Sequence, residues 1–309
     1  MALPLQRGAC DTRDPRCRGL RLPLRLPGWA CVAVCAQATV FVDRMTDKSP
    51  VIIAIANTKG GVGKTTTAVN LAAALAAPGR KVLLVDLDSQ ASASLWLGVD
   101  RARLKPSSGS CLLHEFPIVQ AIRATPVPHL DLLTGSVELA NADVALAEVK
   151  GRELTLKNLL QRVRQRYEMI MLDCPPSLSL IGVNALVAAD ALIIPVTPQY
   201  LAADGLVSLL ASLDTVRTRL GTKGRLLGIL FTMVDPGRSA ACEVRNRLRA
   251  QFRDEIFHTE IMMSRALEEA PAGARTIFDH APRSRSAVAF RRLAGEVLER
   301  LRSTRHSKR

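Results

Sequence analysis

Six short apolar runs punctuate the chain after residue 50: 51–56, 82–85, 130–133, 169–172, 191–196 and 226–234. Most are continuous rather than alternating, as strands buried on both faces require. Between them lie segments with helical spacing. Residues 65–77 are rich in Ala and Leu and stop at Pro78-Gly79. Residues 139–149 read as a helix, 154–166 as an amphipathic one, and 205–219, 241–252 and 286–302 as three more, the last two studded with Arg. Strands alternating with helices predict an α/β fold, a mostly parallel sheet with helices on both faces. No internal repeat or linker interrupts 49–302, so a single domain is predicted there. Residues 1–48 are Arg-, Pro- and Cys-rich without sustained period, and are expected to form an extension outside the fold, with Met45 as an alternative initiator. A basic tail is expected over 303–309.

Composition narrows the classes. Hydrophobic residues make up 48% of the chain, enough for a sizeable core. No run of about 18 uncharged apolar residues appears: the longest apolar stretch near the start, Trp29 to Val42, is interrupted by Gln37 and Thr39, so no membrane span is expected, and the glycine-rich segment over 59–66 points to the cytoplasm. Of 7 cysteines, 4 fall in the first 48 residues with no Cys-x-x-Cys hook, which predicts neither a zinc site nor a disulfide framework. The net charge of +14 is uneven: over 216–309, 20 basic residues face 10 acidic ones, whereas 49–215 is balanced. Such an excess suits either solvated helix faces or a polyanionic partner.

The segment Lys59-Gly60-Gly61-Val62-Gly63-Lys64-Thr65-Thr66 follows a buried strand and opens a helix. A phosphate chain needs converging backbone N–H groups, the positive end of a helix and a cation. The glycines allow the loop to curl, Lys64 can reach terminal phosphates, and the Thr65 hydroxyl can ligate Mg²⁺. The general pattern fails at its first glycine, where Thr58 stands, and Lys59 supplies the second lysine of the deviant form. At the second strand's end, Asp86 and Asp88 flank Leu87; one is expected to support Mg²⁺ and the other to orient the attacking water. Asp173 ends another apolar run as the expected water-mediated Mg²⁺ carboxylate, and Cys174-Pro175-Pro176-Ser177 forms a rigid turn placed to sense the γ-phosphate.

In this order the motifs resemble the ParA/Soj family of chromosome- and plasmid-partitioning ATPases. The likeness extends through Asn184-Ala185-Leu186, Ala189-Asp190, Ile194-Pro195-Val196, 228–233 and Glu269-Ala270-Pro271, and so covers roughly 50–302. It implies a P-loop NTPase fold with ATP and Mg²⁺ as cofactors. It further implies a homodimer closed by ATP, with Lys59 reaching the partner's phosphates, and nonspecific DNA binding by that dimer on the nucleoid. A ParB-like protein would stimulate hydrolysis and release. Carried over by position, Lys59, Lys64 and Asp88 are catalytic, Asp88 positioning the water. Asp86, Asp173 and Thr65 attend the metal, and the segment around Pro195 and Met233 faces the adenine.

Two departures stand out. Ser89 replaces the proline common after the second aspartate, and the family's DNA-contacting arginines align with Gly237 and Ala266, one position from Arg238 and Arg265. The candidate DNA contacts are therefore Arg238, Arg245, Arg249, Arg265 and Arg285. Three other readings share the nucleotide site. A MinD-like membrane switch needs a C-terminal amphipathic anchor, but residues 303–309 are polar and basic. An iron–sulfur carrier needs paired cluster cysteines, and a tyrosine kinase a tyrosine-rich tail; the chain has only Tyr167 and Tyr200. No membrane partner is expected, and the cargo (chromosome, plasmid or another structure) stays open.

Overall fold

The computed structural model describes residues 50–199, 202–222, 224–237 and 239–306. The expectations for residues 1–48 and for Arg238 lie outside the described residues. Seven strands form one sheet: β1 (Val51–Ile55), β2 (Val82–Asp86), β3 (Arg123–Ala124), β4 (Leu130–Leu133), β5 (Met169–Asp173), β6 (Ala191–Val196) and β7 (Arg225–Phe231). Their order is β3-β4-β2-β5-β1-β6-β7, parallel throughout except for the short β3 paired antiparallel to β4.

The main helices are α1 (Lys64–Ala76), α2 (Ser92–Trp96), α3 (Ser108–Leu113), α4 (Thr155–Gln161), α5 (Leu180–Ala188), α6 (Ala202–Leu220), α7 (Ser239–Gln251) and α8 (Arg285–His306). They cover both faces of the sheet, and strand alternation assigns residues to each. Ile52 and Ala54 of β1, with Ile170 and Leu172 of β5, pack among α3 to α7. Ile53 and Ile55, with Met169 and Met171, pack against α1, α2 and α8. The period-2 geometry of a strand makes this division automatic. In α8, Ala287, Phe290, Leu293, Ala294 and Val297 recur at helical spacing and are buried, while the Arg residues between them stay outside. This helix runs on to His306, into the segment expected to be a tail.

Three elements differ from the sequence pattern. The helix expected over 154–166 ends at Gln161 and gives way to a 3₁₀ turn at Arg164–Arg166. Residues 139–149 form no continuous helix: a 3₁₀ turn at Val137–Asn141 leads into the short helix Ala142–Ala145. Leu139, Ala142 and Leu146 reach the core, but Val137 and Val144 are 72% and 81% exposed, so too little apolar surface is buried to hold a longer helix. The bend brings Asp143 to α5, where its Oδ1 accepts from Leu180 N at 2.7 Å. The last strand stops at Phe231 because Met233 turns into the left-handed region (φ 51°), and Val234 bridges to Met262 instead.

Candidate nucleotide site

The parallel sheet collects its chemistry at the C-terminal ends of β1, β2 and β5, which lie side by side. Open α/β sheets bind ligands at this edge. Between β1 and α1 the chain makes the glycine turn. Gly61 and Gly63 take φ of 71° and 78°, values that a side chain would strain. A Cβ built on Gly60 or Gly61 meets no atom within 4 Å, so the loop faces open space. Val62 is buried as the loop's anchor, and its carbonyl accepts from Thr232 Oγ1 at 2.9 Å. Thr232 and Met233 also lie 3.7 Å from a Cβ built on Gly63. Met233 is 40% exposed there, beside the loop.

The two lysines are placed differently. Lys64 is buried, and its Nζ donates to the Lys59 carbonyl at 2.9 Å. Burial pulls its pKa down, opposed by the charges of Asp173 and Asp88. Lys59 is exposed and donates from Nζ to Gln199 Oε1 at 2.7 Å within the same chain. Its backbone N–H donates to Asn57 Oδ1 (3.0 Å), and Asn57 Nδ2 reaches the Pro195 carbonyl at 2.7 Å. Thr65 and Thr66 are half-buried at the start of α1, and Asn70, one turn on, donates to the Thr66 carbonyl at 2.8 Å.

Asp86 and Asp173 stand opposite each other in the β2–β5 register, both 0% exposed. Asp86 is fully engaged: Oδ2 accepts from Ser94 N (2.9 Å) and Ser94 Oγ (2.7 Å), and Oδ1 from Asp88 N (3.1 Å). Burial pushes its pKa up to about 6 against those hydrogen bonds. Both Asp173 oxygens are buried without a hydrogen-bond partner. Burial and then the Asp86 charge hold its carboxyl well above the usual range. The Thr65 hydroxyl and the Lys64 charge oppose the rise, Thr65 from within electrostatic reach but outside hydrogen-bonding geometry. Asp88 is half-buried on the turn beyond β2. β2 ends at Asp86, whose side chain is spent on the turn that carries Asp88, so the two carboxylates do not project from one strand.

Cys174 packs inside with its thiol pushed up by burial, and its N–H donates to the Ile55 carbonyl at 3.2 Å. The arginine candidates scatter. Arg245 and Arg249 of α7 both pair with Glu260, at 3.1 and 2.8 Å, and Arg249 lies over the Phe231 ring. Arg265 pairs with Glu269 but its side chain is 88% exposed. Arg285 is exposed at the start of α8 and forms no ion pair among the described residues. Sequence reasoning missed Gln199, Thr232, Ser94 and Gly135. Of these, Thr232 and Gln199 flank strand ends adjoining the loop, but no local pattern marks Ser94 or Gly135 as partners of Asp86.

A family model described as an AAA domain matches residues 51–226. The chain is 44% identical over 254 residues to the chromosome-partitioning ATPase Soj of Thermus thermophilus, covering 81% of this chain and 96% of the relative. It is 41% identical over 246 residues to the sporulation initiation inhibitor protein Soj of Bacillus subtilis, covering 80% and 97%. Among solved structures it resembles the cobyrinic acid a,c-diamide synthase of Mycobacterium smegmatis with bound ADP and magnesium, at a TM-score of 0.72 and 31% identity, covering 82% of this chain and 96% of that one. Its ordered motifs, its sheet and these identities together place the chain in the Soj/ParA family of partitioning ATPases.

Proposed function

We propose that this chain is a Mg²⁺-dependent partition ATPase that dimerises on ATP, binds DNA without sequence preference, and lets go when a ParB-like partner stimulates hydrolysis. Family membership carries the coarser statement, an ATPase that acts in positioning or partition. The observation behind the finer one is the contrast between the two loop lysines. Lys64 is buried and folded across the loop, the place from which a cation meets its own chain's terminal phosphates. Lys59 is exposed, its ammonium engaged by one neutral side chain, and is available to a second copy's nucleotide.

The metal fits the residues present. Asp173 offers two buried oxygens with no donor, and a cation is the counter-charge that such a group lacks. Among the described residues no group of three or more His, Cys, Asp or Glu forms a metal cage, so an ion here would draw on phosphate oxygens and water. Thr65 would ligate it directly and Asp173 through water. Mg²⁺ supplies charge neutralisation of the phosphate oxygens. Asp88, half-buried on its turn, would orient the attacking water, and Gly60, Gly61, Val62, Gly63 and Thr66 would line the phosphates. Met233 beside the loop suits contact with the base.

For DNA, Arg285 is the better placed of the described candidates, because Glu260 offsets Arg245 and Arg249 and Glu269 pairs with Arg265, whose side chain is nonetheless 88% exposed. Such action places the protein at the nucleoid. Among the described residues no helix is long and apolar enough to cross a membrane. The test is binding of a random-sequence duplex with ADP and with a non-hydrolysable ATP analogue across a salt series. Binding is expected with the analogue alone, falling steeply with salt as several phosphate contacts are lost. Equal affinity in both nucleotide states overturns the switch, and ATP-dependent flotation with liposomes in place of DNA binding would favour a membrane role.

A further inference from the structure

The turn that carries Asp88 is closed by local bonds. Its carbonyl accepts from Ala91 N at 3.0 Å, and Asp88 Oδ1 accepts from Gln90 N at 2.9 Å. Those bonds shape the turn without fixing it to the body of the protein. Leu87, buried just before Asp88, ties the chain to β5 through its N–H to the Asp173 carbonyl at 3.0 Å, and Asp86 holds Asp88 itself, its Oδ1 taking the Asp88 N–H. A buried carboxylate holds one orientation when its other oxygen is also engaged, and here Oδ2 takes both the N–H and the hydroxyl of Ser94. Ser94 is itself 0% exposed.

A serine hydroxyl has a single proton. Once donated to Asp86, its lone pairs remain free to accept, and Gly135 N donates to Ser94 Oγ at 2.9 Å. Gly135 follows β4 and presses against the same turn. A Cβ there would lie 2.6 Å from the Asp88 carbonyl oxygen and 2.8 Å from Asp86 Oδ1, so only glycine fits. Ser108 Oγ adds a bond to the Asp86 carbonyl at 2.8 Å. Ser94 also belongs to α2, whose N-terminal cap is Ala91, a residue with no side chain to accept a hydrogen bond. The Asp86 carboxylate takes that accepting role, tying α2 and the Asp88 turn to one fixed point.

We infer that Ser94 is a positioning residue for hydrolysis, acting through Asp86 to hold the backbone of Asp88, with Gly135 as its seat. The inference rests on Asp88 being the residue that orients the attacking water. Removing the hydroxyl leaves the buried Gly135 N–H without its acceptor and Asp86 with one donor fewer. Asp86 Oδ2 then keeps only the backbone N–H of residue 94, so the carboxylate is held less firmly, and the Asp88 turn with it. Nucleotide binding rests on the P-loop, which this chain of bonds does not touch, so the loss falls on turnover and not on affinity.

The test is steady-state ATP hydrolysis by the full-length protein. In Ser94→Ala, kcat is expected to fall about tenfold or more, the scale set by misplacing a positioning group, with KM within about twofold of wild type. Ser94→Thr keeps the hydroxyl and should restore turnover. In an Asp88→Ala background, Ser94→Ala should add no further loss, since both changes remove one function. An unchanged kcat in Ser94→Ala overturns the inference, as does a matching rise in KM or full additivity with Asp88→Ala. Should Ser94→Ala fail to fold, Gly135→Ala carries the test by pushing on the turn directly, and normal turnover in that variant is equally fatal. Normal turnover in Asp88→Ala sinks the water-positioning reading and this inference together, whereas slow Asp88→Ala beside normal Ser94→Ala sinks the inference alone.

Discussion

Asp86 and Asp173 end neighbouring strands, stand opposite each other and are equally buried, yet one accepts three hydrogen bonds and the other none. The difference lies in the chain just beyond each strand. After Asp86 it turns back within eight residues and presents the N–H groups of Asp88 and Ser94. After Asp173 come Cys174, whose N–H is taken by the Ile55 carbonyl, and two prolines, which have no N–H to give. The sequence around Asp173 therefore withholds the donors that a buried carboxylate would otherwise collect. A satisfied acid holds structure in place; an unsatisfied one is prepared for a cation.

The comparison can be broken by stability measurements on the nucleotide-free protein. The largest effect is expected from Asp86→Ala, which strands the N–H groups of Ser94 and Asp88; at about 1–3 kcal/mol for each buried group left unmet, a loss of about 3 kcal/mol should appear in urea unfolding. A loss below about 1 kcal/mol would mean that the network is not holding the turn. Asp173→Asn should act in the opposite sense, raising stability by about 1 kcal/mol because it removes a carboxyl that ionises freely in the unfolded chain and is held back from ionising by burial in the fold. The same variant should lose the stabilisation that Mg²⁺ and ATP give the wild type, read as a melting shift; an undiminished shift would exclude Asp173 from the metal site.

The pH profile sharpens the contrast from the Asp86 side. Its carboxyl is raised by burial from 3.8 to about 6, so the folded protein holds that proton longer than the unfolded chain does. The corresponding stability is fully present below pH 3.8 and is lost as pH rises through about 6. Wild type measured against Asp86→Asn should show this decline over that window, and a flat difference would remove the assigned cause. The smallest effect concerns the arginines, where the same distinction between satisfied and free charge applies. Glu260→Gln releases Arg245 and Arg249, and should tighten ATP-dependent DNA binding by no more than about tenfold while steepening its salt dependence. No change would place α7 away from the DNA.

Local chemistry carried much of this molecule in readable form. Continuous apolar runs gave the central strands, because a strand covered on both faces needs no polar positions. The spacing of Lys59, Gly60, Gly61, Gly63 and Lys64 identified the loop, because the backbone curvature that a phosphate needs is written in consecutive glycines. Residues 139–149 misled, since their helical spacing says nothing of whether a surface waits to bury Val144 and Val149. The roles of the acids were equally hidden. Asp86 and Asp173 look alike as strand-end aspartates; the donors to Asp86 lie two and eight residues on, and Gly135, on the loop after β4, meets Ser94 only when the sheet forms. Periodicity and turn chemistry are short-range properties, and the sequence determined them by itself. Whether nearby donors are held at a buried carboxylate depends on contacts from distant segments, as Gly135 makes to Ser94, and that was decided by the tertiary structure.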